Sequence, residues 1–120
     1  MALFIGSTVI NTVDLPRAVA FWTTALAYVV RSADPTFAVL TDPTRRWSNI
    51  SIQRTDDPKT GRNRLHLDLY TTDQPGEVAR LEGAGATRVP WEYGEGGDYV
   101  VMADPDGNEF CVVQSAFTQG

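Results

Sequence analysis

One short motif occurs twice in the chain, and this repeat constrains the fold more than any other feature of the sequence. The heptapeptides that begin at Asp14 and at Asp73 both read D-x-P-x-x-V-A, and these aspartates lie 59 residues apart in a chain of 120. A strand-like run precedes each motif, at residues 4–13 and 65–72. A repeat of this length indicates two copies of one supersecondary unit.

Each copy of the motif predicts the start of a helix. An Asp side chain can accept a hydrogen bond from a backbone N–H of the first helical turn. The proline two residues later lies in that turn, where its missing N–H costs nothing. Apolar residues then recur at helical spacing, and Gly83 and Gly85 are expected to weaken and end the second helix.

Three strand-sized pieces follow each predicted helix. They lie at residues 28–31, 37–40 and 49–53 in the first half, and at 87–91, 99–103 and 109–113 in the second. Turn-forming residues separate them, and the densest run, residues 104–108 (DPDGN), predicts a tight hairpin connection. Each half therefore reads β-α-β-β-β.

The predicted fold class is α+β, with two tandem β-α-β-β-β modules in a single domain over residues 1–120. Module one is predicted at 1–54, a polar linker at 55–63 and module two at 64–120. A small sheet with an open face is poorly stable alone. The modules are therefore expected to form one cupped mixed sheet of eight strands, with the helices outside and a small-molecule pocket in the cup.

Strand alternation predicts which side chains line that pocket. Residues 65, 67 and 69 are leucines, which should pack on the helices, whereas His66, Asp68 and Tyr70 should face the pocket. The repeat offset places Ser7 and Asn11 at positions that match His66 and Tyr70. Ser51 and Gln53 share one parity on the first closing strand, as Glu109, Cys111 and Val113 do on the second. Trp47, Trp91, Tyr93 and Tyr99 are predicted at the rim. The predicted ligand contacts are Ser7, Asn11, Gln53, His66, Tyr70, Trp47, Trp91, Tyr99 and Glu109.

Composition excludes several classes of protein. A net charge of −5 with scattered basic residues argues against a nucleic-acid partner. No apolar stretch is long enough to predict a membrane span. Cys111, the one cysteine, cannot form an internal disulfide and fits a reducing compartment, so we expect a cytoplasmic protein.

The order and spacing of these residues resemble the vicinal-oxygen-chelate superfamily (glyoxalases, bleomycin-resistance proteins and extradiol dioxygenases), and more closely its small glyoxalase-like domain proteins. The resemblance is carried by residues 13–22, 63–69, 83–87 and 104–111. It implies paired modules around a cup, frequent homodimers and a divalent metal held by His, Gln or Glu. Exposed sheet edges also favour a homodimer.

The four metal-ligand positions that this resemblance implies fall near Ser7, Gln53, His66 and Cys111. Only His66 is a conventional ligand for this superfamily, and a catalytic ion needs at least three protein ligands. We therefore expect no metal ligands and no cofactor. An irregular site for Zn, Ni, Mn or Fe on His66, Gln53 and Glu109 stays open as an alternative.

Three functions from different classes remain. The favoured one is a metal-independent binder of an antibiotic or of an aromatic or polar metabolite. The second is a lyase, isomerase, hydrolase or dioxygenase-type enzyme in which His66 is catalytic and Asp68 orients it and raises its basicity. The third is a non-catalytic accessory domain whose pocket is closed by side chains. A single histidine on a strand also fits a purely structural role, so whether the protein is an enzyme stays open.

Overall fold

The computed structural model describes residues 3–116, so the outermost residues of both predicted modules, 1–2 and 117–120, lie outside the described part. The chain divides into two compact units between Lys59 and Thr60, which is inside the predicted linker. Within residues 3–116 the order β-α-β-β-β occurs twice. This confirms the α+β class and the two modules. The eight described strands form two four-stranded sheets, one in each unit, rather than the one hydrogen-bonded sheet of eight strands that the sequence predicts.

The first unit consists of β1 (Ser7–Thr12), α1 (Leu15–Leu26), β2 (Val29–Ala33), β3 (Phe37–Thr41) and β4 (Asn49–Arg54). Its strand order is β1-β4-β3-β2, with β1 parallel to β4 and the other pairs antiparallel. Phe21 and Trp22 of α1 lie edge to face at 5.0 Å and are fully buried, as are Leu40 and Ile52 of the sheet. The core of this unit is therefore formed by α1 and one face of the sheet.

The second unit repeats this plan with β5 (Leu67–Thr71), α2 (Gln74–Ala84), β6 (Thr87–Arg88), β7 (Tyr99–Ala103) and β8 (Glu109–Gln114). Its strand order is β5-β8-β7-β6, and β5 runs parallel to β8. The buried side chains are Val78 and Leu81 of α2 and Met102, Phe110 and Val112 of the sheet. Because side chains alternate along a strand, residues 109, 111 and 113 of β8 lie on the face turned away from this core.

Both helices begin as the repeat predicts. Asp14 accepts a hydrogen bond from the Arg17 backbone N–H at 3.2 Å, and Asp73 accepts one from the Gly76 N–H at 3.1 Å. The second helix ends at Gly85, whose φ of 117° is left-handed and strains any residue with a Cβ. The predicted starts of both helices and the predicted end of the second helix are therefore confirmed, because the caps that determine them are local.

Strands β5 and β6 are shorter than the sequence predicts. The ladder between β5 and β8 begins at Leu67, and Leu65 lies before it with 88% of its surface exposed. The prediction that Leu65 packs on the helices is therefore wrong, whereas Leu67 and Leu69 are half-buried. The strand β6 ends at Arg88 rather than at residue 91, since Pro90 has no N–H for a ladder.

None of the helices in the described part of the chain combines the length and the apolar character that a membrane span requires.

Candidate functional site

The predicted catalytic pair, His66 and Asp68, is brought together at the start of β5. The His66 Nε2 atom lies 3.2 Å from Asp68 Oδ1, and the two side chains are 50% and 48% exposed. His66 immediately precedes the strand, and Asp68 is its second residue. Asp68 is therefore held by the backbone of β5 and His66 lies directly before that strand, while both side chains stay accessible to solvent.

Cys111 joins this pair from the neighbouring strand. It lies directly opposite Asp68 in the parallel register of β5 and β8. The donor atoms of His66, Asp68 and Cys111 all lie within 4.8 Å of one another. The sequence analysis placed Cys111 on this face and at an implied metal-ligand position, but not among the predicted catalytic or ligand-binding residues. The missing signal was the pairing of β5 with β8, which one sequence does not provide.

The environment of Cys111 keeps its thiol protonated. Burial is the largest cause that raises its pKa, followed by the Asp68 carboxylate, which repels the thiolate and accepts a hydrogen bond from the thiol. Glu109 raises the pKa further, while Arg62 lowers it. Because the thiolate is the nucleophilic form, Cys111 is a weak nucleophile at neutral pH.

The first unit has hydroxyl groups at the equivalent positions. Val9 pairs with Ser51 in the parallel register of β1 and β4, as Asp68 pairs with Cys111 in the second unit. Ser51, rather than Gln53, is therefore the counterpart of Cys111. The Ser7 and Ser51 Oγ atoms form a hydrogen bond of 2.6 Å.

This serine pair does not fit the divalent metal that the sequence resemblance implies. The implied site takes two ligands from each module, and neutral hydroxyls are poor ligands in comparison with imidazole or carboxylate. The two hydroxyls are also hydrogen-bonded to each other, and only 3% of the Ser51 surface is exposed. The residues of the first unit therefore cannot complete that site.

Three aromatic side chains, Trp91, Tyr93 and Tyr99, form a connected group that we call the aromatic cluster. Trp91 donates a hydrogen bond from Nε1 to the Tyr99 hydroxyl at 3.2 Å, and the rings of Tyr93 and Tyr99 lie 5.1 Å apart at 64°. The Tyr93 hydroxyl accepts a hydrogen bond of 2.9 Å from the backbone N–H of Val101. These contacts fix the rings in the segment before β7 and on β7 itself.

Arg62 links the aromatic cluster to Glu109 on β8. Its guanidinium lies 4.3 Å above the Trp91 ring, and its Nε is 3.3 Å from Glu109 Oε1. Asn63 donates a hydrogen bond to the Glu109 backbone carbonyl at 3.2 Å. Glu109 is therefore paired with a cation.

The predicted ligand contacts divide between the two units. His66, Tyr70, Trp91, Tyr99 and Glu109 lie in the second unit, whereas Ser7, Asn11, Trp47 and Gln53 lie in the first. Asn11 pairs with Gln53 in register on β1 and β4. Trp47 lies in the loop between β3 and β4 and is 51% exposed, and Tyr70 on β5 is 61% exposed.

A family model described as a glyoxalase-like domain matches residues 7–113 of this chain. No curated protein matches the chain at a significant level.

Several solved structures share the fold. A bleomycin-binding protein from the bleomycin producer Streptomyces verticillus, in complex with copper(II)-bleomycin, is 22% identical, with a TM-score of 0.65, 96% of this chain covered and 99% of that chain. A fosfomycin resistance protein from Listeria monocytogenes, in complex with Mn(II) and a dihydroxypropylphosphonic acid, is 14% identical, with a TM-score of 0.77 and coverage of 98% and 94%. A glyoxalase/bleomycin resistance protein/dioxygenase family enzyme from Burkholderia phytofirmans is 18% identical, with a TM-score of 0.72 and coverage of 89% and 94%.

Proposed function

Because this chain belongs to the glyoxalase-like domain family, we propose that it binds a small organic molecule, an antibiotic or an aromatic or polar metabolite, without the divalent metal of the superfamily. The observation that carries this proposal is the aromatic cluster of the second unit, with Arg62 stacked on Trp91 at 4.3 Å. A neighbour of the same fold is a bleomycin-binding protein.

The chemistry of the aromatic cluster suits a ligand with a flat ring and polar edges. Trp91 and the two tyrosines combine apolar ring faces with N–H and O–H groups that form hydrogen bonds. The Arg62 side chain is 67% exposed. A planar ligand can therefore displace the guanidinium and stack on the Trp91 ring in its place. The serine pair of the first unit supports the metal-free part of the proposal.

A fluorescence titration tests the binding. The full chain is titrated with metal-free bleomycin and with a panel of aromatic metabolites, and the tryptophan emission is followed. We expect saturable quenching by at least one compound, with the compound recovered unchanged by mass spectrometry. The Trp91→Ala variant should weaken binding by about tenfold, since a stacked aromatic contributes about 0.5–1.5 kcal/mol beyond its buried area.

The Trp91→Phe variant is the matched control, because it keeps an aromatic face, though a smaller one, and removes the indole N–H. We expect it to bind nearly as well as the parent protein. Equal binding by all three proteins would remove the aromatic cluster from the site. The absence of saturable quenching across the panel would instead favour the accessory-domain hypothesis.

An enzymatic function is the second candidate, and the 3.2 Å contact between His66 and Asp68 favours it. With Nε2–H donated to the Asp68 carboxylate, the other ring nitrogen, Nδ1, is a base that can take a proton from a carbon next to a carbonyl group. Substrate conversion that His66→Ala abolishes, in a variant with unchanged circular dichroism, would establish this candidate instead of pure binding.

A homodimer and a cytoplasmic location complete the proposal. Size-exclusion chromatography with light scattering measures the mass of the protein in solution. We expect twice the chain mass of 13.2 kDa. A mass of one chain at micromolar concentration would contradict the dimer.

A further inference from the structure

The guanidinium of Arg62 fills the space beside the Trp91 ring and shows which kind of group that space accommodates. It lies 4.3 Å above the ring, and its Nε is 3.3 Å from Glu109 Oε1. The indole N–H is donated to the Tyr99 hydroxyl, which leaves the ring face as the surface that the guanidinium contacts. One flat, positively charged group therefore contacts an aromatic face and a carboxylate at the same time.

We propose that the aromatic cluster binds a planar organic cation, such as an amidinium or a guanidinium, which replaces Arg62 between Trp91 and Glu109. Arg62 then acts as an internal substitute for the cationic group of the ligand. This inference rests on the proposed function and narrows it, because it assigns a charge and a shape to the ligand of the same site.

Glu109 provides the selection for positive charge. Its side chain is 14% exposed, and in the described part of the chain Arg62 is its one ion-pair partner. A neutral ring that displaced Arg62 would leave this carboxylate poorly hydrated and without a cation, which is unfavourable. A negatively charged ligand would be repelled by it. A planar cation instead keeps both the ring contact and the ion pair, so it replaces Arg62 at the smallest cost.

Arg62 is placed so that it can leave this position. It lies outside the helices and strands, in the irregular segment before β5, and its side chain is 67% exposed. Solvent screens an ion pair of this exposure, so the pair contributes little to stability. The displaced side chain also regains rotamer freedom in solvent. The contacts of Arg62 therefore oppose ligand binding only weakly.

The charge around the aromatic cluster also favours a cation. The segment from Trp91 to Tyr99 contains three acidic residues, Glu92, Glu95 and Asp98, and no lysine, arginine or histidine. The whole chain carries a net charge of −5. Such a field attracts cationic ligands and repels anionic ones, with a strength that falls as salt is added.

Three probes of nearly equal shape and different charge test the inference: benzamidine, which is a cation at neutral pH, neutral benzamide and anionic benzoate. Each is titrated into the isotope-labelled full chain while the indole N–H signals are followed by NMR, and the Trp91→Phe variant identifies the Trp91 signal. We expect benzamidine to shift the Trp91 signal with an affinity about tenfold above that of benzamide, and benzoate to bind least.

Variants separate the roles of Arg62 and Glu109, and the other signals of the same spectra check that each variant is folded. Arg62→Ala should bind benzamidine severalfold more tightly than the parent, because the competing side chain is gone. Arg64→Ala is the matched control, since it removes the same charge from the same segment, and it should bind benzamidine like the parent. Glu109→Gln should bind benzamidine and benzamide equally, because it lacks the carboxylate that distinguishes them. Equal gains in both arginine variants would contradict the proposal, because net charge would then be the cause.

Three results with the probes would also overturn the inference. If benzamide shifts the Trp91 signal as readily as benzamidine does, the aromatic cluster is a binding site without a preference for a cation. If benzoate binds best and Arg62→Ala weakens its binding, Arg62 is a contact for anions. If none of the probes shifts the Trp91 signal, no planar cation enters this position. Saturable quenching by the metabolite panel would still support the proposed function in each of these cases, so the two proposals can fail separately.

Discussion

At the scale of single residues, two buried aspartates organise the loops that follow the third and seventh strands. Asp42 is 5% exposed and Asp104 is 3% exposed, and each is followed by proline. Asp42 accepts hydrogen bonds from the Thr44 backbone and hydroxyl and from the backbone N–H groups of Arg46 and Trp47, at 2.8–3.1 Å. One carboxylate therefore fixes the backbone of Trp47, a predicted ligand contact.

The protonation of Asp42 should make stability depend on pH at the acid end. Burial acts to raise its pKa, but the hydrogen bonds outweigh burial and hold the pKa below its usual value. This stabilisation is fully present above the unfolded-state pKa of about 4 and is lost as the pH falls through the lower folded-state pKa. We expect Asp42→Asn to melt at a lower temperature than the parent at neutral pH, with the gap closing as the pH falls below the unfolded-state pKa of about 4 and through the lower folded-state pKa.

Thermal melts followed by circular dichroism over that pH range measure this gap. A difference in melting temperature that stays constant down to the lowest pH would contradict the assignment to Asp42.

Removing the Asp104 carboxylate should destabilise the protein, because this carboxylate accepts several hydrogen bonds of the loop after β7. Its Oδ1 accepts hydrogen bonds from the backbone N–H groups of Asp106 and Asn108 at 3.0 and 2.9 Å, and its Oδ2 accepts one from the Asn108 side chain at 3.1 Å. Asp104→Ala should lower the free energy of unfolding by about 2–3 kcal/mol, since it leaves buried donors without an acceptor.

Asp104→Asn keeps one acceptor oxygen and should cost less in the same urea titration. Equal losses for the two variants would show that the charge, rather than the number of accepted bonds, determines the effect.

Alternation along one strand is a local property, which is why the sequence placed His66 and Asp68 on one face. The contact of Asp68 with Cys111 depends on which strand pairs with β5 and in what register. No local propensity encodes that pairing, so strand alternation alone could not predict that Cys111 lies beside Asp68, although the family resemblance already placed His66 and Cys111 in one implied site.

At the scale of elements, the end of the second helix offers a matched pair of glycines. Gly85 closes the helix with φ of 117°, and its N–H donates to the Glu82 carbonyl at 3.1 Å. Gly83 lies inside the helix, and a Cβ added there would have no atom within 4 Å. We expect Gly85→Ala to destabilise the protein by about 1–2 kcal/mol and Gly83→Ala to stabilise it by about 0.5–1 kcal/mol.

Urea denaturation of the two variants measures both changes in the free energy of unfolding. The variants are matched, because each replaces glycine with alanine. Effects of the same sign would contradict the assignment of the left-handed cap to Gly85.

The predicted elements were most accurate where a local signal marks their ends. The bounds of β7, Tyr99–Ala103, match the prediction, because the turn that begins at Asp104 fixes its end. Strand β1 was predicted from residue 4 but begins at Ser7, where its ladder with β4 starts at Asn49. A strand begins only where a partner strand is available for hydrogen bonding. The apolar residues before Ser7 do not show where the partner strand begins.

At the scale of the whole molecule, the ladder hydrogen bonds of each sheet lie within its own unit. A core cavity should therefore loosen mainly the unit that contains it. Leu40 in the first unit is 0% exposed and Leu81 in the second is 2% exposed. We expect Leu40→Ala and Leu81→Ala each to cost about 2–5 kcal/mol.

Amide hydrogen exchange under native conditions distinguishes where the two variants act. Leu81→Ala should raise exchange in β5, β7 and β8 more than in the first sheet, and Leu40→Ala should do the reverse. Uniform acceleration across all strands in both variants would mean that the units open only together.

If Ser7 contacts a ligand, as the sequence predicts, its hydrogen bond with the Ser51 hydroxyl has a consequence for the range of ligands that we propose the protein binds. Either oxygen can be the donor in this 2.6 Å bond, and Ser7 is the exposed partner. When Ser51 donates, Ser7 presents an O–H to solvent, and when Ser7 donates, it presents lone pairs. Reversing the direction of this hydrogen bond thus changes whether Ser7 offers a donor or an acceptor to solvent, without moving a heavy atom. Such a surface can match carbonyl and amine groups alike, which favours tolerance of several related compounds over strict selection of one.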